Sequence, residues 1–350
     1  MSRTQTVDET KAPRSILVCG GAGYIGSHMC KRLAREGYLP ITFDNLSTGH
    51  EWAVKWGPLD HADLLDEEAL ARVFRDHAID AVMHFAARSQ VGESMEDPGL
   101  YFRNNVTGTL NLLDAMRAAG VGKLVFSSTA AVYGNPQYTP IDEAHPTRPI
   151  NTYGWTKLMA ERQIEEYCHA YAMSAVSLRY FNAAGADADG EIGEAHEPET
   201  HLIPNVIRAA IDPSRGPVKL FGDDYETPDG TCIRDYIHVE DLCDAHLRAL
   251  DHVDRARGFR VFNLGSGRGS SVVEVLLSCR SECAGAPASV TVPRRKGDPA
   301  VLVASHAAAT SVLEWHPLRT LADCVMTAAA WHIAEAKNPG DGAAQTVDKY

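Results

Sequence analysis

Short apolar runs alternate with longer segments of mixed polarity through the first half of the chain. The runs are almost continuous in apolar residues, which is typical of parallel strands that are covered on both faces. This pattern predicts five strands, at residues 15–19, 40–43, 81–85, 123–127 and 175–179.

The segments between these runs show the period of amphipathic helices, most clearly at 105–118 and 153–171. In the first of these segments, one helix face is expected to carry Val106, Leu110, Leu113 and Arg117. Strands that alternate with helices form βαβ units. The pattern therefore predicts an α/β fold built on a doubly wound Rossmann parallel sheet.

The composition changes after residue 182, where Gly, Pro, Asp and Glu become frequent. This change predicts a smaller C-terminal α/β lobe, packed over the carboxyl edge of the sheet. We expect a division of the chain into a flexible N-terminal extension at 1–13, a Rossmann domain at 14–182, a lobe at 183–337 with some chain returning to the core, and a flexible tail at 338–350.

Charge and composition exclude several classes of protein. The 350 residues include 33 Lys and Arg against 46 Asp and Glu, a net charge of −13, which disfavours a nucleic-acid partner. The sequence has no apolar run long enough to predict a membrane span and no apolar leader at the N-terminus. The eight cysteines form no CxxC pair, so we expect reduced, mostly buried thiols and a cytoplasmic location.

A glycine-rich turn follows the first predicted strand, with Gly20, Gly23 and Gly26 at intervals of three. Glycines allow the backbone to approach a pyrophosphate, and the helix that follows supplies free N–H groups. The second strand leads to Asp44, 18 residues beyond Gly26. A carboxylate at that position accepts hydrogen bonds from the adenosine ribose and repels a 2′-phosphate, so the motif predicts NAD rather than NADP.

Tyr153 and Lys157 are four residues apart in a predicted helix, which places both side chains on one face. A free tyrosine has a pKa near ~10, but a nearby ammonium and a positively charged nicotinamide both favour the phenolate. Tyr153 is therefore a candidate for proton exchange with a sugar hydroxyl, and Lys157 for holding the nicotinamide ribose.

At the end of the fourth predicted strand, the segment FSSTAAVYG offers three hydroxyls. We expect Ser127 or Ser128 to cap the following turn.

Nine segments occur in order between residues 15 and 300: GGAGYIGSH, DNLSTGH, HFAARSQVGES, NNVTGTLNLL, FSSTAAVYG, YGWTK, LRYFNAAGA, DGTCIRDYIHVEDL and RRKGDPA. Together they resemble the UDP-glucose 4-epimerases of the extended short-chain dehydrogenase/reductase family. The segment HEPETHLIP further resembles bacterial epimerases that feed exopolysaccharide synthesis. The resemblance implies that bound NAD⁺ oxidises C4 of a UDP-hexose, that the 4-keto sugar turns over, and that the hydride returns to its other face.

The resemblance also implies roles for individual residues. The catalytic set would be Thr129, Tyr153 and Lys157. Contacts to NAD from the 14–182 domain would come, in addition to Tyr153, Lys157 and the three glycines, from Tyr24, Ile25, Asp44, Asn45, Leu46, Ser47, Thr48, Asp63, Leu64, Phe85, Ala86, Ala87, Asn104 and Phe181. Contacts to the UDP-sugar would come, in addition to Thr129, from Asn182, His201, Phe221, Arg234, Arg295, Asp298 and Leu302. Family members commonly pair through the helices at 105 and 153, so a homodimer is expected.

The chain departs from the pattern of the family at several positions. Thr129 replaces a serine of many members, Ser89 a lysine and His201 an asparagine of some. Leu302 stands where some relatives carry a tyrosine that walls the sugar pocket. Because leucine is shorter, we expect room for an N-acetyl group at C2 of the sugar.

Alternative functions remain open. The first alternative is a 4-epimerase of another UDP-sugar, namely UDP-N-acetylglucosamine, UDP-glucuronate or a UDP-pentose. A nucleotide-sugar 4,6-dehydratase needs an acid and a base directly after Thr129, but Ala130 and Ala131 stand there. A non-catalytic NAD-binding regulator is disfavoured by the intact Thr-Tyr-Lys set. No metal is expected, because His196 and His201 are five apart and Pro198 breaks any helix between them.

Overall fold

The computed structural model describes residues 12–283, 285, 287–295 and 298–337. Nearly all of the predicted N-terminal extension at 1–13 and all of the predicted tail at 338–350 lie outside the described residues. The described chain forms thirteen strands: β1 Ser15–Cys19, β2 Leu39–Asp44, β3 Leu59–His61, β4 Ile79–His84, β5 Lys123–Thr129, β6 Ser174–Tyr180, β7 Asn182–Ala184, β8 Val218–Phe221, β9 Ile233–His238, β10 Gly258–Leu264, β11 Gly269–Ser271, β12 Ser289–Val292 and β13 Val301–Leu302.

Eleven α-helices accompany these strands in the described residues: α1 Tyr24–Arg35, α2 Glu67–Asp76, α3 Val91–Glu96, α4 Pro98–Tyr101, α5 Gly108–Ala119, α6 Thr152–Tyr171, α7 Leu202–Ile211, α8 Val239–Arg255, α9 Val272–Glu282, α10 Ala307–Leu313 and α11 Leu321–Lys337. Short 3₁₀ turns lie at Glu51–Ala53, Ala130–Val132 and Pro213–Arg215, and a π-helical segment at Phe102–Thr107. No helix of the described part is long and apolar enough to cross a lipid bilayer.

A seven-stranded parallel sheet forms the centre of the molecule, in the order β10-β6-β5-β4-β1-β2-β3. All five strands that the apolar runs predicted are present, which confirms the doubly wound α/β prediction. The sheet also contains β3, which is only three residues long, and β10, which comes from the second half of the chain and pairs with β6 over its full length. Neither of these two strands was predicted from the sequence.

Helices cover both faces of this sheet, as its apolar strands require. On one face, α1 and α8 pack on the strands through a core that includes Met29, Leu33, Leu242 and Leu250. On the other face, α2, α5 and α6 pack through a core that includes Leu70, Leu113 and Ile164. Because parallel strands all end at the same edge, their loops converge there.

Of the residues that were expected to share one face of segment 105–118, Leu113 is buried, whereas Arg117 is exposed and Val106 and Leu110 are only partly buried. The buried face is formed instead by Asn105, Gly108, Thr109, Leu112, Leu113 and Met116. These positions recur with the ordinary helical period. The period was therefore right, but the expected face lies beside the buried one.

A smaller set of elements lies at the carboxyl edge of the sheet. β9 pairs with β7, β11 and β13, and β8 pairs with β12. A separate core joins these strands to α7, α9 and α11, with Val206, Val275 and Val325 at its centre. The cleft between this lobe and the large sheet holds the candidate site.

Candidate active site

A cleft of about 1510 Å³ runs along the carboxyl edge of the large sheet. Its volume exceeds the range of roughly 300–1,000 Å³ that is typical of a pocket for one small molecule. Apart from Leu46, every residue that the sequence analysis placed in catalysis, cofactor binding or substrate binding lies in its lining. The cleft therefore has room for two ligands and brings the predicted residues together.

The glycine turn lies at one end of this cleft, between β1 and α1. Gly20 has a φ of +81°, and a Cβ there would stand 2.5 Å from the backbone nitrogen of Ala86. A Cβ on Gly26 would stand 2.0 Å from the carbonyl oxygen of Gly20. Only glycine fits at both positions. The N-cap residue of α1, Gly23, offers no side chain to the first N–H groups of the helix, which leaves them available to an anion.

Asp44 closes the turn from the end of β2. Its buried carboxylate accepts hydrogen bonds from the backbone N–H groups of Ala22, at 3.0 Å, and Leu46, at 2.9 Å. Burial raises its pKa, and these two hydrogen bonds oppose the rise. Leu46 itself takes a left-handed conformation, with φ of 55°, and contributes its backbone N–H rather than its side chain.

The adenine end of the predicted NAD site is held by a side-chain hydrogen bond. Asn45 Nδ2 donates to Asp63 Oδ2 at 2.7 Å, which joins the loops after β2 and β3. The other oxygen of Asp63 accepts the N–H of Leu65 at 2.8 Å. These contacts fix the loops that border the cleft on this side.

Thr129 ends β5 and its hydroxyl caps the next turn. The oxygen accepts the backbone N–H of Ala131 at 3.1 Å, so the cap that was expected from Ser127 or Ser128 is made by Thr129 instead. Ser127 bonds the Tyr180 hydroxyl, and Ser128 donates to Glu161 at 2.6 Å. The Thr129 hydroxyl also forms a hydrogen bond with the side chain of Tyr153.

Tyr153 is the second residue of α6, two positions after the N-cap residue Asn151. Burial raises the pKa of Tyr153 to about 12, and a hydrogen bond with the Thr129 side chain opposes the rise. The N-terminal end of a helix carries partial positive charge, which favours a phenolate. A positive charge placed beside the phenol would favour the phenolate further.

Lys157 lies one turn further along α6 and is 2% exposed. Its Nζ donates to the carbonyl oxygen of Ser127 at 2.8 Å and stands 4.8 Å from the centre of the Phe126 ring. Burial lowers the pKa of Lys157 to about 7, and the negative charge of Glu161 opposes this shift. The strand β5 therefore fixes the position of the amine in the cleft.

The opposite end of the cleft carries two cations. Arg234, on β9, is buried and pairs through Nη2 with Asp298. The guanidinium of Arg295 stands 3.9 Å from the centre of the Phe221 ring. Guanidinium groups bind diphosphates through forked hydrogen bonds. This end of the cleft suits a dianionic diphosphate.

Leu302 borders the middle of the cleft. It lies on β13 opposite Arg234 and packs, together with Phe181, against a small apolar core around Val132 and Ile141. Asn182 also lines the cleft at the start of β7. A ligand that reaches from Tyr153 to Arg234 passes these side chains.

Comparison with known proteins is consistent with this geometry. Residues 16–265 match the model of the family described as "NAD dependent epimerase/dehydratase family". The chain belongs to this epimerase/dehydratase family. It is 49% identical over 322 residues to a UDP-glucose 4-epimerase of Rhizobium leguminosarum bv. trifolii, which covers 92% of this chain and 98% of that relative.

Solved structures of epimerases share the fold of this family member. A UDP-glucose 4-epimerase from Brucella ovis in complex with NAD is 49% identical, with a TM-score of 0.88 over 91% of this chain and 98% of that chain. A UDP-glucose 4-epimerase from Bifidobacterium longum in complex with NAD⁺ and UDP is 38% identical, with a TM-score of 0.88 over 93% and 99% of the two chains.

Two residues of this epimerase-family site were missed by the sequence analysis. Tyr180 lines the cleft beside Ser127, and burial raises its pKa. Asn105 is buried and joins the loop after β4 to α6, because its Nδ2 donates to the carbonyl oxygen of Arg88 at 3.0 Å and to Thr156 at 2.9 Å. Tyr180 could have been found from the sequence, because it directly precedes the predicted Phe181. No spacing in the sequence indicates that Asn105 contacts Arg88 and Thr156.

A buried ion pair supports the Tyr153 helix from behind. Glu161 accepts hydrogen bonds from Arg179 Nε and Ser177, both at 2.9 Å, and from Ser128. Arg179 Nη1 donates to the hydroxyl of Tyr133 at 3.0 Å. This network ties α6 to the ends of β5 and β6, and so fixes the backbone that carries the catalytic candidates.

The loop before α7 gathers four side chains that the sequence analysis treated as separate. Residues 196–201 form no helix, as Pro198 predicted. Even so, Glu194, His196, Glu199 and His201 place one ligand atom each within 4.8 Å of one another. Pro198 therefore excludes a helical metal motif, but a loop can still bring these four side chains together.

Proposed function

We propose that the chain interconverts UDP-glucose and UDP-galactose by inversion at C4 of the hexose. The observation that carries this proposal is the placement of Thr129, Tyr153 and Lys157 in one cleft with a glycine turn at one end and Arg234 with Arg295 at the other. The first end fits a dinucleotide, since a side chain on Gly20 or Gly26 would fill the cradle. The second end fits the diphosphate of a UDP-sugar.

The residues of the chain would hold the two ligands in a fixed relation. Asp44 would bind the adenosine ribose, and Lys157 the nicotinamide ribose. Arg234 and Arg295 would bind the UDP diphosphate. Asp298 would then separate from Arg234 and bind the uridine ribose. NAD⁺, when bound, would supply the acceptor for the hydride of sugar C4 and, once reduced, the donor that returns this hydride. Its positive charge would favour the phenolate.

Tyr153 would act as the general base and then as the general acid. Its phenolate removes the proton of the sugar 4-hydroxyl, and Thr129 donates a hydrogen bond that positions this exchange. After the hexose has turned about its link to the anchored diphosphate, Tyr153 returns the proton to the C4 oxygen. The methyl side chains of Ala130 and Ala131 carry no ionisable group, so the elimination of water that a dehydratase performs has no acid or base at these positions.

Incubation of the purified chain with four UDP-sugars tests this proposal. UDP-galactose, UDP-N-acetylgalactosamine, UDP-glucuronate and UDP-arabinose are each supplied without NAD and then with NAD, and the products are read by NMR. We expect conversion of UDP-galactose to UDP-glucose. Absence of any 4-epimer in both series would overturn the proposal, and a product that has lost water would indicate a dehydratase instead.

Leu302 is proposed to set the tolerance for a group at C2 of the sugar. A leucine at this part of the lining leaves more space than a tyrosine, so UDP-N-acetylglucosamine is the second candidate substrate. We expect Leu302→Tyr to lower the ratio of kcat/KM for UDP-N-acetylglucosamine over UDP-glucose by about 10- to 100-fold. Leu318→Tyr, at a leucine that is 80% exposed, is the control. An unchanged ratio in Leu302→Tyr would contradict this role of the pocket wall.

We also propose that the chain forms a homodimer through α6. Two large side chains one turn apart on this helix, Trp155 and Met159, are each more than 40% exposed and form an apolar surface that a second copy could cover. The eight cysteines are unpaired and buried, which supports a cytoplasmic location. The HEPETHLIP segment supports a supply of UDP-galactose for exopolysaccharide synthesis.

A further inference from the structure

The loop that leads into α7 brings two imidazoles and two carboxylates to one point. His201 Nδ1 and His196 Nδ1 both approach the same oxygen, Glu194 Oε1, at 2.5 and 3.0 Å. Glu199 Oε1 lies 3.4 Å from His201 Nδ1 and 3.9 Å from His196 Nδ1. Each of the four side chains thus directs one donor atom to a common centre.

These distances match the first coordination shell of a metal ion. Bonds of roughly 2.0–2.2 Å in a tetrahedral arrangement place the donor atoms about 3.3–3.6 Å apart. Imidazole nitrogen and carboxylate oxygen are also ligands that Zn²⁺ accepts. The four donors can reach this arrangement by shifts of less than about 1 Å, with no change in the path of the backbone.

Burial and charge favour a cation at this centre. The side chains of Glu194 and Glu199 are 5% and 3% exposed. Glu199 Oε1 also accepts the backbone N–H groups of Thr200 and His201, while its Oε2 has no hydrogen-bond partner among the described residues. The nearest arginine, Arg208, stands 3.8 Å from that oxygen. Two buried carboxylates therefore face one arginine.

A second acidic cluster in the described residues provides a contrast. Asp187, Asp189 and Glu191 also group together, but Lys31 Nζ stands among them, 2.7 Å from Asp187 and 2.9 Å from Asp189. An ammonium already fills the centre of that cluster. In the described structure, no lysine or arginine nitrogen lies within hydrogen-bond distance of the four atoms that would bind a metal between His196 and His201.

We propose that Glu194, His196, Glu199 and His201 bind one divalent transition metal ion, for which Zn²⁺ is the best match. The ion would tie the loop to the start of α7, since His201 is the N-cap residue of that helix. It would also brace the glycine turn, because the ring of His196 packs edge-on against Tyr24 of α1, with 6.3 Å between ring centres.

The metal site has a consequence for the cleft that rests on the proposed function. The ring of His201 is half exposed and lines the cleft. A metal ion on Nδ1 fixes the tautomer of the imidazole, so that Nε2 carries a proton and donates. His201 would then offer the sugar nucleotide an N–H donor, as the amide of an asparagine does.

Metal content of the full chain, with any affinity tag removed, tests the site directly. After growth with Zn²⁺ and removal of loosely bound ions, elemental analysis is expected to find about one Zn²⁺ per chain. Glu194→Gln and His196→Gln are expected to lower the bound Zn²⁺ by about tenfold or more, and His169→Gln, at an exposed histidine of α6, to leave it unchanged. None of these readouts depends on epimerase activity, so a failure of the proposed function would leave them unaffected.

A measurement on the unaltered chain tests the metal site even if the variants do not fold. Co²⁺ added to the metal-free protein is expected to give the intense visible bands of a four- or five-coordinate site, and Zn²⁺ to abolish them. If neither ion binds, or if both variants keep the metal content of His169→Gln, the proposal is wrong. A protonated His201 would then hold the two carboxylates in place of a metal ion.

Discussion

Replacement of Tyr153 by phenylalanine is expected to reduce turnover by about 10²- to 10⁴-fold, the usual contribution of a positioned acid or base. The ring stays in place because α6 is fixed by Asn151 at its N-terminus and by the Glu161–Arg179 ion pair further along. Only the hydroxyl that is proposed to exchange a proton with the sugar is lost. Steady-state kinetics with UDP-galactose measures the loss, and the content of bound NAD is expected to remain near that of the unaltered chain.

Tyr171→Phe is the matched control, because Tyr171 ends the same helix and is 46% exposed. Its turnover is expected to equal that of the unaltered chain. Near-normal turnover in Tyr153→Phe would eliminate this residue as the base. A loss of turnover together with the loss of bound NAD would point to a role in binding rather than in proton transfer.

Removal of one partner of the buried Glu161–Arg179 pair is expected to cost about 3–5 kcal/mol of unfolding free energy. Glu161→Ala leaves the guanidinium of Arg179 buried, with only the hydroxyl of Tyr133 as a side-chain partner. It also removes the acceptor of Ser128 and Ser177. Thermal denaturation is expected to show a melting temperature lower by about 4–7 °C.

Two further variants separate the ion pair from the helix itself. Glu165→Ala removes an exposed pair with Arg162 on the same helix and is expected to change stability by less than about 1 kcal/mol. The double variant Glu161→Leu with Arg179→Met buries no unpaired charge, so it is expected to be more stable than Glu161→Ala. A double variant as unstable as Glu161→Ala would show that the lost stability does not come from the unpaired arginine.

The apolar runs predicted the strands of the first half well, because a strand buried on both faces needs a continuous apolar sequence. β10 was missed, since the segment GFRVFNL mixes polar and apolar residues in the manner of an edge strand. The glycine turn and the Tyr153–Lys157 pair were predictable, because their chemistry depends on short spacings within one segment. The resemblance to a family then added residues whose positions no local pattern shows.

The remaining differences concern local details that hydrophobic periodicity does not specify. Thr129 became the cap because the strand continues to this residue, two positions beyond the predicted end. The buried face of α5 was misplaced because the expected face included Arg117, which is exposed. The loop of Glu194 and His201 was judged by helical spacing, whereas an extended loop can gather ligands at irregular intervals. A fixed period describes regular elements and fails where the backbone departs from them.

The position of β10 determines when the central sheet can be finished during synthesis. While the ribosome has released only the residues up to the end of β6, that strand has an open edge with unpaired backbone groups, which invites aggregation. Almost eighty further residues separate the end of β6 from the start of β10. A nascent chain of this length must therefore shield the open edge until the second half arrives, and a product truncated after β6 is expected to be captured by chaperones or degraded.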